Sequence, residues 1–117
     1  MEPVIVDFNQ VHSFELAEGL AARPLFGKDA MINVVECEPN SAAPAHSHPH
    51  EQLGFVVRGT MWFTVAGTEY ELGPMQGYVV PGGVQHAARF GPEGCLVLDI
   101  FQPVREDFRE RWEAARP

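Results

Sequence analysis

The chain has 117 residues and a mass of 13.0 kDa, one domain in length and enough to bury a core without disulfides or a structural metal. Hydrophobic residues make up 45% and charged residues 21%, the balance of an ordinary globular fold. Sixteen acids against eight bases leave a net charge of -8, and no basic cluster exists to displace counterions from nucleic acid or hold an anionic membrane, so neither is expected as a partner.

No apolar run reaches the ~18 residues of a membrane helix. Met1-Glu2-Pro3-Val4 has neither the positive start nor the apolar stretch of a secretion signal, and a cytoplasmic protein is expected. Cys37 and Cys95 form no CxxC pair and read as small buried hydrophobes.

In chain order, residues 1–25 are the least legible and offer one or two edge strands. Residues 30–37 form a strand closed by Glu38-Pro39-Asn40-Ser41. A second strand, 52–58, stops at Gly59. Residues 61–65 and 68–72 flank Ala66-Gly67, a two-residue hairpin signal. Residues 78–80 run into the turn Pro81-Gly82-Gly83. Strands 86–90 and 95–101 follow, separated by Gly91-Pro92-Glu93-Gly94. Eleven Gly and ten Pro spaced in this way predict an all-β sandwich or barrel of short strands. After Pro103 the pattern changes. Phe108 and Trp112 stand i, i+4, with Glu106 and Asp107 before them and Arg116 after, which predicts a short helix over about 105–116 laid against the barrel.

Three of the five histidines stand in Pro44-Ala45-His46-Ser47-His48-Pro49-His50-Glu51-Gln52. Alternate residues of an extended segment point the same way, so His46 and His48 can aim at one point and Gln52 can join them. A solvated histidine-rich loop is the ordinary reading of a lone HxH. A second stretch, Pro81-Gly82-Gly83-Val84-Gln85-His86, brings another histidine into a strand just after a tight turn. His50 shares the parity of His46 and His48, but Pro49 bends the segment, and it reads as an orienting or solvent-facing residue. His12 has no partner in sequence.

On these residues the chain resembles the cupin superfamily. The first cupin motif is matched by His46-x-His48, three residues, Gln52, six residues, Gly59, and the second by Pro81, Gly83 and His86. The resemblance covers about residues 30–101. It implies a single-domain jelly-roll β-barrel over 1–117, with the barrel at about 20–101 and the short C-terminal helix beyond it. It also implies one divalent metal on His46, His48, Gln52 and His86. Imidazole ligation alone permits Zn, Ni, Fe, Mn or Co. Most cupins carry Glu where this chain has Gln52. Met75 stands where the second motif has Gly, and Phe90 where it has Asn. Three imidazoles and a neutral amide would leave the ion its full charge, which suits a Lewis acid better than a redox centre.

The last strand carries one acid, Asp99, in an apolar run. By period two Cys95, Val97, Asp99 and Phe101 share a face. An unpaired buried charge is costly, so Asp99 is expected either to pair with Arg105, Arg58 or Arg89 or to serve proton transfer. Val97-Leu98-Asp99-Ile100-Phe101-Gln102-Pro103-Val104-Arg105-Glu106-Asp107-Phe108 looks like the C-terminal signature of the KdgF family, and the histidine segment with Gln52 does too. KdgF proteins are small cupins of pectin and alginate breakdown that convert 4,5-unsaturated monouronates to linear 4-deoxy-5-ketouronates. The resemblance implies an active site of Asp99, Arg105, Gln52 and Phe101 beside the metal, a small anionic sugar as substrate, and, by analogy with other cupins, a homodimer. Two other classes stay open: a different cupin enzyme, such as an Fe-dependent dioxygenase or a sugar epimerase, and a non-catalytic sugar-binding cupin.

Overall fold

In the computed structural model, which describes residues 1–117, eight antiparallel strands form one continuous sheet. They are β1 (Phe14–Ala17), β2 (Leu20–Phe26), β3 (Met31–Cys37), β4 (Ala42–His46), β5 (Glu51–Val65), β6 (Thr68–Leu72), β7 (Gly77–Val80) and β8 (His86–Gln102), followed by the helix α1 (Glu106–Ala114). The long strands β5 and β8 pair with each other along most of their length. The first part of β5 also pairs with β7 and its second part with β6. The first part of β8 pairs with β4 and its later part with β3. The sheet therefore divides into two halves joined through β5 and β8, a jelly-roll arrangement whose inner faces make the core.

The expected breaks at Gly59 and at residues 91–94 do not end strands. Residues 52–58 and 61–65 belong to one strand, as do 86–90 and 95–101. Register shifts lie between Val56 and Arg58 and between Gly59 and Met61. Gly59 takes φ +87°, and a Cβ there would run into the carbonyl oxygen of Gly94. The glycines thus bend two paired strands together at a bulge and do not terminate them. The Ala66-Gly67 hairpin is as expected, both residues having positive φ, the signature of a type I′ turn. The opening stretch of the chain supplies β1 at the sheet edge and β2 beside it.

Burial follows the period of two. β3 buries Met31, Asn33, Val35 and Cys37, and β8 buries Cys95, Val97, Asp99 and Phe101 opposite them. β5 contributes Gln52, Val56, Met61 and Phe63 to the same interior. Cys37 and Cys95 are directly opposed and free, buried as expected.

α1 closes one end. Phe108, 3% exposed, packs its ring 5.5 Å from both Phe14 and Phe101. Trp112 stacks on His12 at 4.4 Å and donates its indole N–H to the His12 carbonyl at 2.9 Å, while His12 Nε2 meets the Trp112 carbonyl at 2.8 Å. His12 thus clasps the helix to the segment leading into β1. Phe108 is the one buried residue of α1, so deleting its ring removes the helix's anchor in the core. Phe108→Ala is expected to lower stability by about 3–5 kcal/mol in urea unfolding. No helix of the structure is long and apolar enough to cross a membrane.

Candidate metal centre and active site

β4 ends on His46, which lies directly opposite His86 at the start of β8, their rings 4.3 Å apart. His48 is not on a strand: it stands in the connection to β5, buried, with its ring 5.6 Å from His46 and 5.0 Å from His86. Backbone contacts between the two motifs fix that connection. Gly83 donates its N–H to the His48 carbonyl at 2.8 Å, and Gly82 lies so close that a Cβ would strike the Pro49 carbonyl oxygen. Met75, where the cupin motif has glycine, adopts φ 69°, so the backbone keeps the left-handed conformation without the glycine.

Each of the three histidines gives Nδ1–H to a backbone carbonyl two residues away. His46 bonds to Pro44 at 2.8 Å, His48 to His50 at 3.0 Å and His86 to Val84 at 2.9 Å. Each Nε2 is thereby left as a bare lone pair. One ligand atom from each of the three can be chosen so that all lie within 4.8 Å of one another. Burial depresses the pKa of His48 and of His86, which keeps both neutral near pH 7.

Two local observations fit a cation there. His86 Nε2 is buried with no hydrogen-bond partner. His48 Nε2 lies 3.0 Å from Gln52 Oε1, while the amide nitrogen of Gln52 donates to Asp99 Oδ1 at 3.1 Å. With His48 protonated on Nδ1, two lone pairs face each other, an arrangement that a shared positive ion relieves. The three histidines could hold a metal, and the amide of Gln52 is turned to join them. His50 stays outside the cluster and instead orients His48 through its carbonyl.

Asp99 sits in a polar row running across four strands. Asn33 on β3, Asp99 on β8, Gly54 on β5 and Tyr78 on β7 occupy successive paired positions. Tyr78 reaches over the bare Gly54 and donates its hydroxyl to Asp99 Oδ1 at 2.5 Å. No arginine pairs with Asp99: Arg58 bonds Glu36 at 2.6 Å, Arg89 bonds Glu69 at 3.4 Å, and Arg105 is held by Asp107. The ion-pair expectation is therefore replaced by a neutral clamp of Tyr78 and Gln52. Burial pushes the Asp99 pKa up to about 6, against the opposing pull of those two hydrogen bonds and of the Arg105 charge.

Arg105 occupies the N-cap position of α1, where its carbonyl accepts from Phe108 and Arg109. Its guanidinium stacks 3.7 Å from the Phe108 ring and gives Nε–H and one Nη2–H to Asp107 at 3.3 and 2.8 Å. Those bonds leave three N–H groups for another acceptor. His46, Gln52, His86, Asp99, Phe101 and Arg105 all line one cavity of about 240 Å³. The Phe101 ring stands edge-on to His48 at 5.6 Å. Tyr78 and Gly54 are the site residues that sequence reading missed. Only the pairing of β7 with β5 could have pointed to them.

A jelly roll that turns histidines from both of its motifs toward one interior point has the build of a cupin, and the comparison agrees. The cupin domain family matches residues 33–101, and the chain belongs to that family. Among curated proteins it is similar to the pectin degradation protein KdgF of Dickeya dadantii (strain 3937), with 25% identity over 96 residues, covering 80% of this chain and 87% of that protein. Among solved structures, an RmlC-like cupin from Shewanella frigidimarina NCIMB 400 matches with a TM-score of 0.85 and 28% identity, covering 92% of this chain and 96% of that one. KdgF from Halomonas sp. matches with the same TM-score, 0.85, at 24% identity, covering 91% and 98%.

Proposed function

We propose that the protein opens the ring of 4,5-unsaturated monouronates, the products of pectin and alginate lyases, to give the linear 4-deoxy-5-ketouronate. The observation that carries this reading is the meeting of Asp99, Arg105, Gln52, His46 and His86 on the wall of one cavity. Similarity to KdgF supports it. A volume of about 240 Å³ suits a single sugar ring, being smaller than the roughly 300–1,000 Å³ of drug-sized sites.

The reaction moves one proton from the anomeric hydroxyl to C4 and breaks C1–O5, with nothing added or lost. Asp99 takes the hydroxyl proton as C1 becomes an aldehyde and the C1–O5 electron pair passes to the C5 enolate. Returned at C4, the proton leaves the C5 ketone. A carboxyl group with a pKa of about 6 is suited to both transfers near neutral pH. Arg105 turns its free N–H groups to the sugar carboxylate, with Asp107 holding the guanidinium from behind. Phe101 walls the cavity and excludes water. His46, His48, Gln52 and His86 would hold a divalent ion, which when bound would supply Lewis-acid chemistry beside Asp99.

The test is proton NMR of lyase-generated unsaturated galacturonate in D₂O with the metal-loaded protein. The vinyl signal of C4 is expected to vanish much faster than without protein, with deuterium entering at C4. Decay at the spontaneous rate overturns the assignment. Arg105→Ala is expected to remove about 2–5 kcal/mol of binding, at least about thirtyfold in kcat/KM. Arg105→Lys keeps the charge but loses the fork and recovers little of it. Normal activity per folded molecule in Arg105→Ala would make the residue structural.

A further inference from the structure

We infer that Tyr78 is a positioning residue that fixes the plane of the Asp99 carboxylate and selects which of its oxygens works on the substrate. The inference rests on the ring-opening role given to Asp99 above.

Both hydrogen bonds that the protein gives to Asp99 fall on the same atom, Oδ1: Tyr78 hydroxyl at 2.5 Å and Gln52 amide at 3.1 Å. Oδ2 is left without either donor, on a residue that lines the cavity. A carboxylate held by one oxygen cannot exchange its two oxygens by rotation without breaking both bonds, so Oδ2 alone is presented to the ligand. Tyr78 does not line the cavity and so reaches the reaction only through Asp99. It acts from behind the sheet position of Gly54, where a Cβ would lie 2.4 Å from Asp99 Oδ1 and 2.6 Å from the Tyr78 hydroxyl oxygen. The missing side chain at Gly54 is the gap through which the bond passes. The Tyr78 ring is anchored in turn against Phe63, 4.5 Å away. Burial and the Asp99 charge hold its phenol well above the ordinary pKa, so it stays a donor. The same clamp sets the amide of Gln52: with its NH₂ on Asp99, Oε1 faces His48. One tyrosine therefore fixes both the proton-transfer oxygen and the amide beside the histidines.

The experiment is a kinetic cycle on the metal-loaded protein with an unsaturated monouronate, using Tyr78→Phe, Asp99→Asn and the double variant. Misplacing a reacting group by about 1 Å can cost on the order of a hundredfold. Tyr78→Phe is accordingly expected to lower kcat about 10–100-fold with KM within about twofold and metal content unchanged. In the Asp99→Asn background the same change is expected to cost almost nothing further. Gly54→Ala, which drives a methyl group into the bond from the other side, is expected to lower kcat in the same way. Three results would overturn the inference: wild-type kcat in Tyr78→Phe, a loss that only tracks the unfolded fraction, or an equal loss with and without Asp99. A wild-type protein that leaves the substrate unchanged would instead refute the ring-opening reading, which keeps the two failures distinct.

Discussion

Asp99→Asn is expected to lose roughly 10²–10⁴-fold in turnover, the contribution of a general acid–base group, while retaining its metal and nearly its full melting temperature. Asparagine keeps the oxygen that accepts from Tyr78 and Gln52, so the clamp at Oδ1 survives the change. What is lost is the proton-accepting Oδ2, replaced by an amide nitrogen that cannot take a proton. No arginine is left with an uncompensated charge, because none is paired with Asp99. The large destabilisation of a broken buried ion pair is therefore absent. Turnover, metal content and melting temperature on this one variant distinguish the roles. Near-normal turnover with a much lower melting temperature would make Asp99 a structural acid.

His48→Ala is expected to abolish metal retention. The residue is the best buried of the two motif-one histidines, and its Nε2 points at the lone pair of Gln52 Oε1. Removing even an orienting group typically costs roughly 10–100-fold in metal affinity, so losing a ligand should cost more. Elemental analysis after dialysis should read about one ion per chain in the wild type and close to none in the variant. His50→Ala keeps the carbonyl that anchors His48 and is expected to retain the metal. Full retention in His48→Ala would remove His48 from the site and with it the reading of the 3.0 Å contact to Gln52.

How much of this was legible in the sequence depends on the range of the interaction. Period two alone put Asp99 and Phe101 on one face of β8, because alternation is a property of the strand itself; that this face is the inner one is a finding of the fold. The spacing of the two motifs picked out His46, His48 and His86, whose convergence follows from a turn and a short connection. Gly59 and residues 91–94 read as breaks because glycine and proline signal turns locally. The two strands pair on either side of these residues, Gly59 with Cys95 and Met61 with Phe90, and no local pattern reports that partner. The Tyr78 clamp was hidden for the same reason. It requires knowing that β7 lies beside β5 and that the one missing side chain of the row, Gly54, opens the path to Asp99. The expected ion pair with Asp99 failed because each nearby arginine has a closer acid, two of them across the outer surface and one within its own turn.

The most direct test of the account follows the ultraviolet absorbance of the conjugated double bond in unsaturated galacturonate and in unsaturated products of alginate lyases. The metal-loaded wild-type protein is added in parallel with the metal-stripped protein and a protein-free blank. Rapid loss of absorbance with the loaded protein alone is the predicted result. Equal, slow loss in all three samples would contradict the assignment of this site to uronate ring opening.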